Sequence, residues 1–122
     1  KQIGAVAVGT KGQVLAQGYN GFPRGISHSS ERLNNRELKY KYVVHAEMNL
    51  IYNASYNGTS LDGSTVYVTG LPVCSECAKG LIQVGVSQVI MPVQEDTPET
   101  WKKSFELSKE LFEEAGVAWQ FI

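Results

Sequence analysis

Apolar and polar positions along this chain predict a series of short strands and longer helices. Runs rich in β-branched and aromatic residues predict strands, and longer apolar segments predict helices. The turn at Thr10-Lys11-Gly12 joins the first two predicted strands into a β-hairpin. The predicted strands are residues 3–8, 14–19, 64–69, 88–92 and 117–122, and the predicted helices are residues 43–56, 74–84 and 98–115.

The predicted order is β-β-α-β-α-β-α-β, in which the last three strands alternate with helices. Strands joined through helices pair in parallel with right-handed crossovers. We therefore expect an α/β fold, a three-layer or partly covered mixed sheet of about five strands with the last three parallel. No repeat or linker divides residues 1–122, so a single domain is expected.

Turn and capping residues predict where the helices begin and end. Thr97 is the expected N-cap of the last helix, with Pro98 at its first helical position. Gly85 and Gly116 are expected to end the last two helices. The polar segment 20–42 is long for a connection inside a compact domain, which favours a functional loop. A helical turn is expected within residues 30–38 of that segment.

Composition excludes some classes of function. The chain has 122 residues and a net charge of −1, from 11 basic and 12 acidic residues. This balance favours a small-molecule substrate and makes a nucleic-acid partner an unfavoured interpretation. No apolar run approaches the ~20 residues of a membrane span. No secretory signal is visible, so a cytoplasmic location is expected. The chain opens directly on a predicted strand, which suggests truncation at its N-terminus.

Two short motifs carry the candidate chemistry, His45-Ala46-Glu47 and Cys74-Ser75-Glu76-Cys77. The C-x-x-C spacing alone fits a disulfide, a redox pair or a metal site. The nearby H-x-E motif favours metal, because one imidazole and two thiolates form a three-ligand zinc set with one position open for catalysis. H-x-E followed by C-x-x-C is the signature of zinc-dependent nucleobase deaminases.

Glu47 is the expected proton carrier of such a site. Zinc at His45, Cys74 and Cys77 supplies an activated water at neutral pH. Glu47 would move protons between that water and an amino-bearing ring such as cytosine. One geometric difficulty arises, since residues two apart on a regular helix point to nearly opposite sides. The difficulty eases if His45 lies at the helix start.

Other polar and aromatic residues have simpler interpretations. For Asn49, a substrate contact and a structural hydrogen bond remain equal alternatives, because an unpaired buried amide is costly. Glu76 is expected to be a solvated helix residue and His28 a surface loop residue. Trp101 and Trp119 are expected in the core or at an interface rather than as a base-stacking platform.

Three segments together resemble the deoxycytidylate (dCMP) deaminases of the cytidine deaminase superfamily. They are residues 18–25 (G-Y-N-G-F-P-R-G), 45–51 (H-A-E-M-N-L-I) and 74–79 (C-S-E-C-A-K), and the resemblance extends from Ile3 to about Val117. It implies a cytidine-deaminase-like fold and a zinc site of His45, Cys74 and Cys77 with Glu47 as proton shuttle. It also implies conversion of dCMP to dUMP and ammonia for thymidylate synthesis.

The same resemblance implies regulation and assembly. Members of the family are often hexamers, activated by dCTP and inhibited by dTTP with magnesium, at a site that includes the G-Y-N-G loop. Asn20, Gly21 and Arg24 match that loop, and they are candidate contacts for the substrate or a regulatory nucleotide, together with Asn49. Arg24 has the fork geometry that suits phosphate, although a solvated loop arginine is an equal alternative.

The chain departs from the family pattern in two places. Val73 intervenes between Pro72 and Cys74, where the family has proline directly before the first cysteine. The family's helix before the first strand is also missing, which would leave one sheet face exposed or covered by a neighbour. Two alternatives remain open. One is a deaminase of another cytosine or adenine compound, including an RNA base, and the other is a non-catalytic, zinc-stabilised nucleotide-binding protein.

Overall fold

A five-stranded sheet organises the chain. The computed structural model describes residues 2–93 and 97–122, and the sheet has the order β2-β1-β3-β4-β5. The strands are β1 (Gly4–Val8), β2 (Val14–Tyr19), β3 (Thr65–Thr69), β4 (Gln88–Met91) and β5 (Ala118–Phe121). Strand β1 pairs antiparallel with β2 and with β3, whereas β3, β4 and β5 are parallel. The predicted hairpin and the three parallel strands are therefore confirmed.

Within the described residues, five helices connect or flank these strands. They are α1 (Ser30–Asn34), α2 (Arg36–Tyr42), α3 (Ala46–Tyr56), α4 (Ser75–Gln83) and α5 (Glu99–Ala115). The segment expected to hold only one helical turn thus contains two short helices. Asparagine and serine side chains start them, because Ser29 accepts from the Arg32 N–H and Asn35 accepts from the Leu38 N–H.

All three predicted helix starts were wrong, including that of α4, which begins at Ser75 rather than Cys74. Helix α3 begins at Ala46 rather than Val43, because Val43 is extended and Val44 pairs with Gly21 in an isolated antiparallel bridge. Helix α5 begins at Glu99, with Pro98 rather than Thr97 as its N-cap. The φ of −55° at Pro98 is compatible with a helical residue and with an N-cap residue. Its ψ of 147° is extended, so Pro98 lies outside the helix. The predicted stop at Gly116 is confirmed by its left-handed φ of 78°.

The hydrophobic core lies between one face of the sheet and the long helices. Helices α3, α4 and α5 contact one another in succession. Alternation along the strands directs Val66 and Val68 into this core, while Tyr67 between them points to the other face and is 42% exposed. This is the partly covered sheet of the prediction. The largest fully buried side chains include Phe112, Leu50, Leu81, Met91, Val66, Val68, Val73 and Val89.

A close approach at Gly18 seats α3 on strand β2. A Cβ at Gly18 would meet the Leu50 backbone nitrogen and the Ala46 carbonyl oxygen, the latter at 2.6 Å. The absence of a side chain therefore lets the first turn of α3 contact the strand directly. None of the helices described here has the length and apolar character that a membrane span requires.

Candidate active site

Both sequence motifs lie at helix starts. His45 is the N-cap of α3 and Cys74 the N-cap of α4, and both have extended backbones, with ψ of 153° and 164°. His45 therefore precedes the first helical turn, so its side chain does not follow the helical period. His45 and Glu47 line the same cavity. This resolves the geometric difficulty that the two-residue spacing raised.

The geometry of the three ligand side chains fits zinc. The His45 Nδ1 atom lies 3.4 Å from the Cys74 Sγ atom and 3.3 Å from the Cys77 Sγ atom. All three ligand atoms lie within 4.8 Å of one another. Tetrahedral zinc with ordinary Zn–N and Zn–S bond lengths separates nitrogen and sulfur by about 3.6 Å. Both cysteines are free, so the disulfide alternative is wrong for this structure.

Hydrogen bonds within this set shift the acidity of its members. The hydrogen bond from Cys77 lowers the pKa of Cys74 to about 4, against the effect of burial. The same hydrogen bond raises the pKa of the Cys77 thiol, and burial adds to this. The bond to Cys74 raises the pKa of His45. Cysteine binds metal as the thiolate, so metal binding to this set would displace the protons that its members carry.

Glu47 lies buried beside the ligands. Its side chain is on the second residue of α3, only 4% of the residue is exposed, and it lines the cavity with His45 and Cys74. Burial disfavours the charged carboxylate and raises the pKa of Glu47 to about 7. A carboxyl with a pKa near neutrality can both accept and donate a proton, as general acid–base catalysis requires.

His45, Cys74 and Glu47 line a cavity of about 480 Å³. This is the size range of small-molecule sites. Loop residues Leu71 and Pro72 line it, whereas the additional residue Val73 is fully buried in the core. The departure at Val73 therefore leaves Pro72 in the cavity wall.

Aromatic side chains form another wall of this cavity. Trp101 and Phe105 come from α5 and Tyr40 from α2. The Trp101 ring centroid lies 6.5 Å from that of His45 and 6.4 Å from that of Tyr40. Trp101 was expected in the core or at an interface, and its place beside the ligands was missed. The four-residue spacing of Trp101 and Phe105 puts them on one helix face, but only the fold brings that face to His45.

Two cations in the cavity wall were also missed. Arg36 and Lys39 lie on α2, inside the segment predicted as a loop. The neighbouring Glu37 pairs with Lys41 at 3.8 Å. Among the described residues, no carboxylate forms a salt bridge with Arg36 or Lys39. The wall therefore presents two positive charges that the described chain does not neutralise.

Of the four candidate nucleotide contacts, two line a cavity and two do not. Asn20 lines the cavity, and its side-chain oxygen accepts from the Ile3 N–H at 2.9 Å. Asn20 and Gly21 also line an adjoining cavity of about 660 Å³. Arg24 and Asn49 line neither.

Arg24 and Asn49 instead make structural contacts near α3. Arg24 donates to the Asn53 side-chain oxygen at 2.9 Å and lies over the Tyr56 ring. The Asn49 amide donates to the Tyr19 carbonyl at 2.8 Å, which favours the structural alternative. Glu76 is exposed to solvent as expected, and it forms an ion pair with Lys79. His28 is exposed as well, as expected of a surface residue.

Comparison with known proteins assigns the class. The profile of the family "Cytidine and deoxycytidylate deaminase zinc-binding region" matches residues 1–93. The chain belongs to this family. It has the fold of the cytidine deaminases, and His45, Cys74 and Cys77 form a possible zinc site.

Individual relatives include named deoxycytidylate deaminases. A probable deoxycytidylate deaminase of Drosophila melanogaster is 39% identical over 98% of this chain and 61% of its own length. An uncharacterized deaminase of Aliivibrio fischeri is 38% identical over 95% of this chain and 76% of its own. The chain thus spans less than two thirds of the fly protein.

A solved structure supports the same comparison. The dCMP deaminase of cyanophage S-TIM5, in complex with dCMP and dUMP, superposes with a TM-score of 0.75 at 26% identity. The superposition covers 98% of this chain and 80% of the phage chain. The predicted family resemblance is confirmed.

Proposed function

We propose that this protein is a zinc-dependent hydrolase that converts dCMP and water to dUMP and ammonia. The observation that carries this proposal is the cluster of three candidate metal ligands beside one buried carboxyl, of which His45, Cys74 and Glu47 line a single cavity. Similarity to proteins named deoxycytidylate deaminases, and to a dCMP deaminase crystallised with dCMP and dUMP, supports dCMP as the substrate.

Glu47 is the proposed catalytic residue. Zinc held by His45, Cys74 and Cys77 would supply an activated water at neutral pH. The water oxygen adds to C4 of the cytosine ring while Glu47 takes one water proton and gives it to N3. Glu47 then takes the second proton from the new C4 hydroxyl and gives it to the amino group, so that the C4–N bond breaks, ammonia leaves and the C4 carbonyl forms. The pKa of about 7 leaves both protonation states of Glu47 populated for these transfers.

Arg36 and Lys39 are proposed contacts for the 5′-phosphate of the substrate. Both line the cavity that holds Glu47, and neither has a carboxylate partner among the described residues. A guanidinium and an ammonium pair well with a phosphate dianion. This favours a nucleotide over a nucleoside or a free base. The Trp101 and Tyr40 rings in the same cavity offer an aromatic surface for the pyrimidine.

The test is a turnover assay on the zinc-loaded protein with a substrate panel. Ammonia release from dCMP is expected, and Glu47→Ala should abolish it while zinc stays bound. Arg36→Gln and Lys39→Gln should each lower kcat/KM for dCMP about 10-fold and leave the slower reaction of deoxycytidine unchanged. Lys41→Gln is the matched control, since Lys41 already pairs with Glu37 outside the cavity.

Other outcomes of this assay identify the alternatives. Faster turnover of an RNA base or an adenine nucleotide would overturn the assignment of dCMP. Binding of zinc and nucleotide with no turnover of any substrate would identify a non-catalytic binding protein. Equal losses for dCMP and deoxycytidine in the Arg36 and Lys39 variants would remove the phosphate role and leave the deaminase assignment intact.

Regulation by dCTP and dTTP with Mg²⁺ is part of the proposal. The adjoining cavity of about 660 Å³ supports it, because Asn20 and Gly21 of the G-Y-N-G loop line that cavity. Arg24 and Asn49 remain proposed contacts whose side chains would have to leave their present partners. The dependence of the turnover rate on dCMP concentration, measured with dCTP or dTTP and with and without Mg²⁺, tests this regulation. A rate that neither nucleotide changes would remove the regulatory role.

Homo-oligomerisation, with a hexamer favoured, and a cytoplasmic location complete the proposal. Their support is the family resemblance. The molar mass measured by light scattering on the full protein distinguishes a hexamer from smaller assemblies. Fractionation of the source cells tests the location.

A further inference from the structure

Helix α5 bonds to the backbone on both sides of Cys74. The Ser108 hydroxyl donates to the Val73 carbonyl oxygen at 2.7 Å, and Ser108 is fully buried. The Ser75 backbone N–H donates to the Ser104 hydroxyl oxygen at 2.9 Å. These two groups belong to the two peptide units that flank Cys74. Since the peptide unit is planar, holding both units restricts the φ and ψ of Cys74 and so the direction of its Cα–Cβ bond.

Ser104 also bonds to the first N–H group of α4. The first N–H groups of a helix have no partner within the helix, and the side chain of an N-cap residue bonds to the second or third of them. The Ser75 N–H is the first, and the Ser104 hydroxyl accepts it from a neighbouring helix. The sulfur of Cys74, the N-cap residue, faces His45.

We propose that Ser104 and Ser108 are positioning residues for the metal centre, which hold the peptide units around Cys74 so that its thiolate points at the position shared with His45 and Cys77. The two serines are four residues apart and therefore lie on the same face of α5. They lie outside residues 1–93, the part that the zinc-binding-region profile matches. The metal centre of this chain is thus completed by a helix beyond that region. The inference concerns metal binding and does not depend on which nucleotide is the substrate.

The experiment compares hydroxyl-deleting variants with hydroxyl-retaining and distant controls. Ser104→Ala and Ser108→Ala remove the two bonds, and Ser104→Thr keeps the hydroxyl at the half-buried position. Ser87→Ala is the matched control, because the Ser87 hydroxyl also donates to backbone carbonyls, those of Gly63 and Ser64, but at the start of β4. Zinc affinity by chelator competition, the absorption spectrum of the Co²⁺-substituted protein and the urea unfolding midpoint are measured for each.

Ser104→Ala and Ser108→Ala should each raise the zinc Kd about 10-fold and shift the thiolate-to-cobalt absorption bands. Ser104→Thr and Ser87→Ala should leave the zinc Kd and the absorption bands unchanged, even if Ser87→Ala lowers the unfolding midpoint. An unchanged zinc Kd in both alanine variants would overturn the proposal. So would an equal loss of affinity in Ser87→Ala, since the effect would then follow general stability. If Ser108→Ala does not fold, the comparison of Ser104→Ala with Ser104→Thr decides.

Discussion

Helices α3 and α4 begin with similar backbones and place their second residues in different surroundings. Each starts from a metal-ligand residue in an extended N-cap conformation, and each has a glutamate at its second helical position. Glu47 is 4% exposed and lies in the cavity, whereas the side chain of Glu76 is 80% exposed and pairs with Lys79. The local sequence sets the helix start, but the neighbouring elements decide whether a carboxyl there is buried in a cavity or exposed to solvent.

The supports of the two helix starts differ as well. Helix α3 rests on strand β2 through Gly18, and Asn49 and Asn53 donate to carbonyls of that strand. Helix α4 is held at its first residues by serines of α5. The helix start at His45 is therefore supported by the sheet, and the helix start at Cys74 by a helix that follows later in the chain. A single substitution can therefore remove one support and leave the other in place.

The largest effect is expected where the two glutamates differ most. Glu47→Gln should reduce dCMP turnover by about 10³- to 10⁴-fold, because an amide cannot carry the proton. The fold and zinc affinity should change little, since the two side chains have nearly the same shape. Turnover by stopped-time ammonia release and zinc content measured on the same sample would check this. Turnover within 10-fold of the unmodified protein would contradict the assignment of Glu47.

Gly18→Ala tests the sheet support of α3. The added Cβ would overlap the backbone of Ala46 and Leu50. We expect the free energy of unfolding to fall by about 3 kcal/mol or more, and zinc affinity to weaken as His45 moves with the helix start. Urea unfolding measures the change in the free energy of unfolding, and chelator competition measures the change in zinc affinity. The control is Gly21→Ala, where the Cβ meets only the Tyr19 ring at 4.0 Å. Equal stability of the two variants would refute the role of this contact.

Asn49→Ala tests a weaker part of the same support. Its amide bonds to the Tyr19 carbonyl at 2.8 Å, at a site open to solvent. Removal should cost about 1 kcal/mol of unfolding free energy and leave the KM for dCMP unchanged. Denaturant unfolding and initial-rate kinetics separate the two effects. A raised KM with unchanged stability would instead show that Asn49 contacts the nucleotide.

The smallest effect is expected at the other glutamate. Glu76→Gln removes one partner of an exposed pair with Lys79, and exposed pairs contribute about 0–1 kcal/mol. Turnover, zinc affinity and unfolding should all stay near those of the unmodified protein. A large loss of turnover here would mean that helix-start position alone, without burial, determines the role of these carboxyls.

The ligand residues and the sheet could be predicted because their signals are local or periodic. His45, Cys74 and Cys77 have a spacing that few other structures use, and the alternating residues of β3 predict a strand wherever it packs. The orientation of His45 beside Glu47 could not be predicted from spacing, because it depends on whether His45 lies just inside or just outside the helix. That choice follows from the bridge between Val44 and Gly21, a contact between distant segments.

The parts that the sequence did not reveal depend on tertiary packing. Arg36, Lys39 and Trp101 belong to segments far from the motifs, and nothing in their own neighbourhoods indicates a shared cavity. Ser104 and Ser108 are ordinary polar residues on an amphipathic helix, and only the docking of α5 against the Cys74 loop gives them a role. Short polar helices such as α1 and α2 are difficult to separate from loops, because capping by Ser29 and Asn35 rather than apolar periodicity defines them.

The separation of the ligands along the chain has a consequence for folding. His45 and Cys74 are 29 residues apart, and the segment between them contains all of α3 and β3. An ion bound to both residues would act as a cross-link across that segment. For a covalent cross-link of this span, the loss of chain entropy in the unfolded state corresponds to about 3–4 kcal/mol. Chelation of the metal would then lower the free energy of unfolding, because the unfolded chain would regain that entropy.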